Sequence, residues 1–445
     1  MLRSSVLSRT LPAAMLAISL LTAGCGGGGD SSSNSVASQT VGTSTVTATG
    51  AFSIRASGSQ LVDGQGNTVQ LRGVNVSGLE SVAIRGGNPG NPWGGQTGIQ
   101  PNGSGTPPWS IMATTWGANV VRLPLNEASW LGLHCTDVGG AGDTVTNGVA
   151  RQNLPGTTIK ADPGGNYQAT VEKSVADATA AGMYVILDLH WAAPGADCPF
   201  GQNPYLDSDN SLPFWTSIAT QFRSNPAVIF ELFNEPFLTF LTSSNNYWSL
   251  WKSGGTFGEL FTFGSPSQIG LTWQAPSMQQ VVDAIRNDAG ATNLILIAGE
   301  HYSGDLSEWL ANVPTDTLTP AQIGAVWHAY PGYGATAGTS AYLQPENQSG
   351  DVWSQVQSIQ AAGYPVVITE FGDQNTSASE GAPFAAELLP WADTNGVGYV
   401  AWTWDPWPLP NFVLIRDAAG DPTPGFGVYT KAHFLCRAAG TANCP

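Results

Sequence analysis

The sequence predicts an α/β fold of the (β/α)8 TIM-barrel class, closed as a single domain. Two observations carry this. Eight short runs of Val, Ile, Leu and Ala recur along the chain, each nearly all apolar rather than alternating, as in parallel strands covered on both faces. Amphipathic segments of helical length lie between them.

The predicted strands are Val69–Val76, Ala118–Leu125, Tyr184–His190, Val228–Asn234, Asn293–Gly299, Ile323–Tyr330, Pro365–Phe371 and Gly398–Trp404. Predicted helices include Tyr167–Ala181, Leu212–Arg223, Ser277–Asn287, Val352–Ala362 and Pro383–Asp393. No short fixed period repeats, which argues against a solenoid. A doubly wound open sheet is the competing architecture, and it leaves the chemistry of the strand ends unexplained. Strand two carries Arg122, and strand three ends Asp188-Leu189-His190-Trp191. Strand four ends Asn234-Glu235-Pro236 and strand six Trp327-His328-Ala329-Tyr330. Strand seven ends Thr369-Glu370-Phe371, and strand eight Trp402-Thr403-Trp404-Asp405. A barrel gathers the C-terminal ends of its strands on one face, where such residues form one bowl.

The first residues read as a processing segment. Arg3 and Arg9 make a basic start, and Leu11–Leu21 is an apolar run too short to span a bilayer. Leu21-Thr22-Ala23-Gly24-Cys25 is similar to a bacterial lipoprotein cleavage site, with Thr22 where an aliphatic residue is usual. The expected division is a signal at 1–24, lipidated Cys25 opening a Gly/Ser/Thr tether over 25–50, and the folded domain over 51–445. Ordinary signal cleavage is the alternative. Either places the protein outside the cytoplasm, at the cell envelope or beyond it.

Composition narrows the partners. Of 445 residues, 15 are Lys or Arg and 32 are Asp or Glu, a formal net charge of −17. That balance argues against nucleic acid and against electrostatic docking on anionic lipid, both of which need basic patches. Membrane contact is expected through the lipid anchor alone, and the protein is expected to be a monomer. With 42% hydrophobic residues and 16 Trp, the chain can build a large core. Beyond Cys25 the cysteines are Cys135, Cys198, Cys436 and Cys444, an even number in an exported chain. They read as two disulfides, Cys436–Cys444 closing the C-terminal tail and Cys135–Cys198 tying two long loops. Their spacing does not suit zinc, and no metal site is expected.

Glu235 and Glu370 are the candidates for paired acid chemistry. Each follows an apolar run, so burial should raise the pKa of at least one, as a general acid requires. Strands four and seven lie on opposite sides of an eight-stranded barrel, so the two side chains face each other across its mouth. That geometry suits carboxylates flanking a glycosidic bond.

On these residues, from about Phe52 to Phe434, the chain resembles glycoside hydrolase family 5, the cellulase-type retaining glycosidases. The resemblance implies that Glu235, in Asn-Glu-Pro, is the acid/base and Glu370 the nucleophile. It implies that Asn234 bonds the sugar 2-OH, that Arg122, His328 and Tyr330 support the nucleophile and sugar, that His190 lines the site, and that Trp402 or Trp404 is the sugar platform. It implies double displacement without metal or organic cofactor, on a β-linked polysaccharide or oligosaccharide. β-1,4-Glucan cleaved internally is the leading expectation. β-Mannan, xyloglucan and exo-action on small β-glucosides are alternatives, and a non-catalytic sugar-binding lipoprotein or an envelope structural protein are remoter ones.

Asp188 shares strand parity with His190 and is expected to partner it, while Glu231 reads as structural and Glu300 as a decoy. His301 and Tyr302 are expected near the cleft, and Asp405 in loop or cleft. Trp93, Trp109, Phe240, Tyr247, Trp248, Trp251, Phe257 and Trp273 fall in long loops. Packing is the expectation for each singly. As a set they suggest stacking subsites for a sugar chain.

Overall fold

The computed structural model describes residues 52–84, 86–89, 92–93, 107–138, 156–199, 201–238, 247–261, 269–332, 339, 343–345, 351–373, 381–407 and 412–445. Cys25, the signal and the tether lie outside these residues, as does Phe240.

Eight parallel strands close a barrel in sequence order: β1 Arg72–Asn75, β2 Val120–Asn126, β3 Tyr184–Trp191, β4 Val228–Glu231, β5 Ile295–Ala298, β6 Ile323–Ala329, β7 Val366–Phe371 and β8 Gly398–Ala401, with β8 pairing β1 and β4 pairing β5. The open-sheet alternative is thereby excluded. All eight predicted strands are present, most of them trimmed at the ends. β1 and β2 approach so closely that a Cβ on Gly73 would sit 1.8 Å from the Val120 carbonyl oxygen, so this position needs glycine.

Side-chain alternation builds the barrel in layers. Val120, Ile186, Ile229, Leu296, Val326, Val367 and Val400 fill its interior and are wholly buried. Two residues further along their strands come Arg122, Asp188, Glu231, His328 and Thr369. The period of two thus places the polar layer directly above the apolar one, at the C-terminal mouth.

Outside run α1 Glu127–Leu131, α2 Tyr167–Ala180, α3 Ser211–Phe222, α4 Tyr247–Ser253, α5 Met278–Asp283, α6 Trp309–Asn312, α7 Val352–Ala361, α8 Pro383–Asn395 and α9 Phe426–Ala438. α2 buries Tyr167, Val171, Val175 and Ala178, a helical stripe against the barrel. α5 starts at a capping box between Ser277 and Gln280, and α8 stops at Gly396 with φ 66°. The segment predicted as one helix, Ser277–Asn287, splits into α5 and a π-helical turn at Ala284–Asp288.

Loop aromatics correct one expectation. Trp93, Trp109, Trp248, Trp251 and Trp273 are all buried in the main core. The chain predicted as a loop from Phe237 to Ser277 contains α4 and a hairpin of Gly255–Phe261 with Ile269–Ala275. These rings fill space between loop and barrel, since burying large apolar area outweighs leaving it for a ligand. They offer no stacking faces, and the argument from them for a polymeric substrate falls away. Both predicted disulfides are present. Cys135–Cys198 staples the loops after β2 and β3, and Cys436–Cys444 closes the tail.

Candidate active site

Arg122 is the hub of the mouth. Its side chain is fully buried, donating through Nε and Nη2 to both oxygens of Glu231 at 2.9 Å each, and through Nη1 to Glu370 Oε1 at 2.6 Å and Asn75 Oδ1 at 2.9 Å. Nη2 also reaches Asn234 Oδ1 at 2.7 Å and Asp188 Oδ2 at 2.9 Å. Burial opposes its charge, but Asp188, Glu231 and Glu370 outweigh that and hold the guanidinium ionised. Asn75 Nδ2 donates in turn to the carbonyls of Thr369 at 3.0 Å and Ala401 at 3.2 Å, tying β1 to β7 and β8.

Strict alternation along β7 would send Glu370 outward, because Val367 and Thr369 face in. Register shifts where Trp327 pairs Ile368 but His328 pairs Glu370, so Thr369 is the extra residue of a bulge. The bulge turns both Thr369 and Glu370 into the mouth, a common device beside active sites. Tyr330 Oη donates to Glu370 Oε2 at 2.7 Å, and Arg122 takes the other oxygen.

His328 joins the two glutamates. Its Nδ1 lies 2.9 Å from Glu235 Oε1 and 3.7 Å from Glu370 Oε2, and its Nε2 lies 3.1 Å from Thr369 Oγ1, which donates to Glu231. With acceptors at both nitrogens it is an imidazolium. Burial disfavours that charge, but Glu370, Glu231 and Glu235 together push the group up to about 9.

Burial would raise the Glu235 carboxyl. Donation from His328 and from Gln202 outweighs it and holds Glu235 below the usual carboxylate range. This corrects the expectation that burial sets the acid's pKa. Carboxylate oxygens of Glu235 and Glu370 and a ring nitrogen of His328 all lie within 4.8 Å of one another. Such a trio has the donor types for a divalent cation, but an imidazolium has no lone pair to give one, and Arg122 already balances Glu370.

Asn234 and Glu235 are pinned from two sides. From β5, His301, Tyr302 and Ser303 run in the left-handed region at φ 53°, 56° and 59°. Three such non-glycine residues cost about 1–2 kcal/mol each. The turn is held by Tyr302 N–H donating to Pro236 O at 2.9 Å, Ser303 Oγ donating to Asn234 O at 2.7 Å and His328 N–H donating to Ser303 O at 3.0 Å. Tyr302 is exposed and stacks on Phe237 at 4.9 Å, so the turn presents an aromatic face beside Glu235. From the loop after β3, Gln202 contacts Glu235 and Asn234.

His190 Nδ1 lies 2.7 Å from Asp188 Oδ2, as parity predicted, and its ring stacks on Trp402 at 5.7 Å and 8°. Burial and Arg122 hold its pKa down, so it is neutral near pH 7. Trp402 is partly exposed. Trp404 does not belong to the cleft: it is fully buried, edge-on to Trp116 at 4.9 Å. The regular strand ends at Ala401, so shared parity no longer aligns the two tryptophans. Asp405 is buried, accepting from Ser77 Oγ at 2.6 Å and Thr403 Oγ1 at 2.9 Å. Glu300 is likewise buried and accepts from the Leu238 N–H at 3.0 Å. The sequence reading missed Asn75 and Gln202, and gave Thr369 no role beyond its place at the end of strand seven. A polar residue at the inward position of β1 was the available signal for Asn75.

Comparison with known proteins agrees with this geometry. Residues 62–407 match the family Cellulase (glycosyl hydrolase family 5). Among curated relatives, an endoglucanase of Halalkalibacter akibai is 26% identical over 79% of this chain and 34% of its own length. Endoglucanase N of Pectobacterium atrosepticum is 24% identical over 77% of this chain and 55% of its own. The chain thus spans between a third and about half of these two proteins. Among solved structures, a β-glucanase of Saccharophagus degradans in complex with cellotetraose superposes with TM-score 0.55 at 20% identity, covering 86% of this chain and 93% of that one. The endoglucanase catalytic domain of Thermobifida fusca gives 0.51 at 18% identity, over 86% and 98%. Those superpositions show the same barrel, and the match over most of the chain makes this protein a member of glycosyl hydrolase family 5.

Proposed function

We propose that this chain hydrolyses β-1,4-linked glucan from within, with retention of anomeric configuration. The spacing of Glu235 and Glu370 carries the reading: one carboxylate oxygen of each lies within 4.8 Å of the other, which favours the roughly 5–5.5 Å separation of retaining enzymes over the roughly 6.5–9.5 Å of inverting ones. The endoglucanase relatives and the cellotetraose-bound neighbour support glucan as the substrate.

In the first step a Glu370 oxygen bonds to the anomeric carbon, the glycosidic C–O bond breaks, and Glu235 passes a proton to the departing oxygen. That proton comes from His328, whose Nδ1 is 2.9 Å from Glu235 Oε1. Sugar filling the mouth excludes water, which favours a neutral imidazole beside a protonated Glu235 carboxyl over the ion pair. Forming the ester removes the negative charge of Glu370 as the pair gives up one positive charge, so the site's net charge is conserved. In the second step Glu235 takes a proton from water, the hydroxyl bonds to the anomeric carbon, and Glu370 leaves as carboxylate. Arg122 and Tyr330 hold Glu370 for attack, Asn234 faces the sugar, and His190 with Trp402 forms its platform.

The N-terminal reading is part of the proposal: export under the signal at 1–24, lipidation at Cys25, and a monomer tethered at the cell envelope. The order basic residues, apolar run, small residues, Cys supports it. Cys25→Ala should move the protein from the membrane fraction to the soluble one.

The central test measures reducing ends released from soluble β-1,4-glucan by wild type and Glu370→Gln, with the product anomer followed by NMR. Wild-type release as β-anomer, lost by several orders of magnitude in the variant, is the expected result. A folded wild type inert on glucan but active on mannan, xyloglucan or small β-glucosides would replace the substrate. An α-anomer product would overturn the mechanism.

A further inference from the structure

We propose that Gln202 is a positioning residue for both steps, fixing the Glu235 carboxylate and the Asn234 amide as one unit. This rests on the hydrolase reading above. Gln202 lies outside the barrel strands, in the loop after β3, yet its amide bridges the two residues. Nε2 donates to Glu235 Oε2 at 3.1 Å and to the Glu235 carbonyl at 3.2 Å, and Oε1 accepts from Asn234 Nδ2 at 3.1 Å.

Each contact settles an orientation. Glu235 receives His328 at Oε1 and Gln202 at Oε2, so both oxygens are fixed and the carboxyl plane cannot turn. Asn234 receives Arg122 at Oδ1 and gives one Nδ2–H to Gln202, which fixes the amide and leaves the second N–H for the sugar. Removing Gln202 frees Glu235 to rotate and leaves Asn234 with an unmatched donor.

The loop is built to hold Gln202 in place. Next to it, buried Asn203 accepts from the Ala192 N–H at 3.0 Å and donates to the Tyr205 carbonyl at 2.8 Å. Four residues before it, Cys198 is bonded to Cys135. Asn210 donates to the Gly195 carbonyl at 2.9 Å and also to that of Ala193, folding the loop back on itself. A glutamine so braced is a fixed tool, not a mobile surface side chain.

Gln202→Met removes all three hydrogen bonds at similar volume. Gln202→Glu keeps an acceptor for Asn234, removes both donations to Glu235 and sets a second carboxylate against it. The probes are cellotetraose, whose leaving group needs a proton, and 2,4-dinitrophenyl β-cellobioside, whose leaving group does not. For both variants kcat/KM on cellotetraose should fall about 10- to 100-fold, the effect of one hydrogen bond to a charged group. On the dinitrophenyl substrate kcat/KM should fall clearly less than on cellotetraose, by no more than the loosened Asn234 accounts for, while kcat and KM fall together because deglycosylation still needs Glu235 as base, and azide should restore kcat. Equal losses in kcat/KM on both substrates, or no loss on either, overturn the proposal. Wild type inert on both substrates would instead overturn the β-1,4-glucan reading on which this proposal rests.

Discussion

His328 Nδ1 sits 2.9 Å from Glu235 Oε1, so the acid/base and its neighbour hold one proton between them. Because His328 is pushed up to about 9, the pair keeps that proton through neutral pH. The basic limb of kcat/KM should therefore fall near pH 9, well above an isolated carboxyl. In His328→Gln the proton belongs to Glu235 alone, and the limb should move down towards the carboxylate range. Profiles of kcat/KM on cellotetraose decide this, and an unmoved limb would remove His328 from the proton path.

The same group links folding to pH. Its folded pKa of about 9 stands above 6.5, so its contribution to stability is complete below pH 6.5 and lost as pH rises through 9. The size is on the order of 3 kcal/mol. Melting temperature should decline as pH rises from 6.5 through 9 in wild type, and this part of the decline should be missing in His328→Gln.

Arg122 neutralises three buried carboxylates, so Arg122→Met should destabilise by about 3–5 kcal/mol and abolish turnover. Arg122→Lys keeps the charge but not the two-pronged hold on Glu231. It should fold and lose most of its kcat. Urea unfolding beside kcat on cellotetraose separates loss of fold from loss of turnover.

Trp402 and Trp404 should separate function from stability. Trp402→Ala should lower kcat/KM about five- to tenfold with little change in melting. Trp404→Ala empties core beside Trp116 and should cost about 3–5 kcal/mol. Reversed effects would place the sugar platform elsewhere.

The two disulfides should differ in worth. Cys135–Cys198 closes 63 residues and Cys436–Cys444 closes 8. On the chain-entropy account they stabilise by ~4 and ~2.5 kcal/mol. Paired Cys→Ser variants should rank in that order by denaturant midpoint. The first pair should also lower activity, through the loop that carries Gln202.

Much of this was legible before the fold was seen. Apolar runs marked the eight strands, and Arg122, His190, Asn234, Glu235, His328, Tyr330 and Glu370 converge as strand-end residues should. What escaped depends on register and distant contact. Thr369 and Glu370 share the mouth through a bulge that no alternation pattern announces. Gln202 sits in a loop whose path is set by a disulfide and buried amides. Trp402 and Trp404 parted because the regular strand stops before them. The loop tryptophans looked like ligand faces because composition reports aromatic area, not what covers it.

Asn75 lies on the first barrel strand and bonds Arg122 from β2, and its amide is satisfied by carbonyls of Thr369 and Ala401 on the last two. The first strand of the barrel is thus joined to its last two at the hub of the catalytic cluster. A nascent polypeptide emerging as far as α7 holds Arg122, Glu231, Glu235 and His328 but neither Glu370 nor the seam that sets Asn75. The full set of residues around Arg122 is thus completed only where β7 and β8 close the ring.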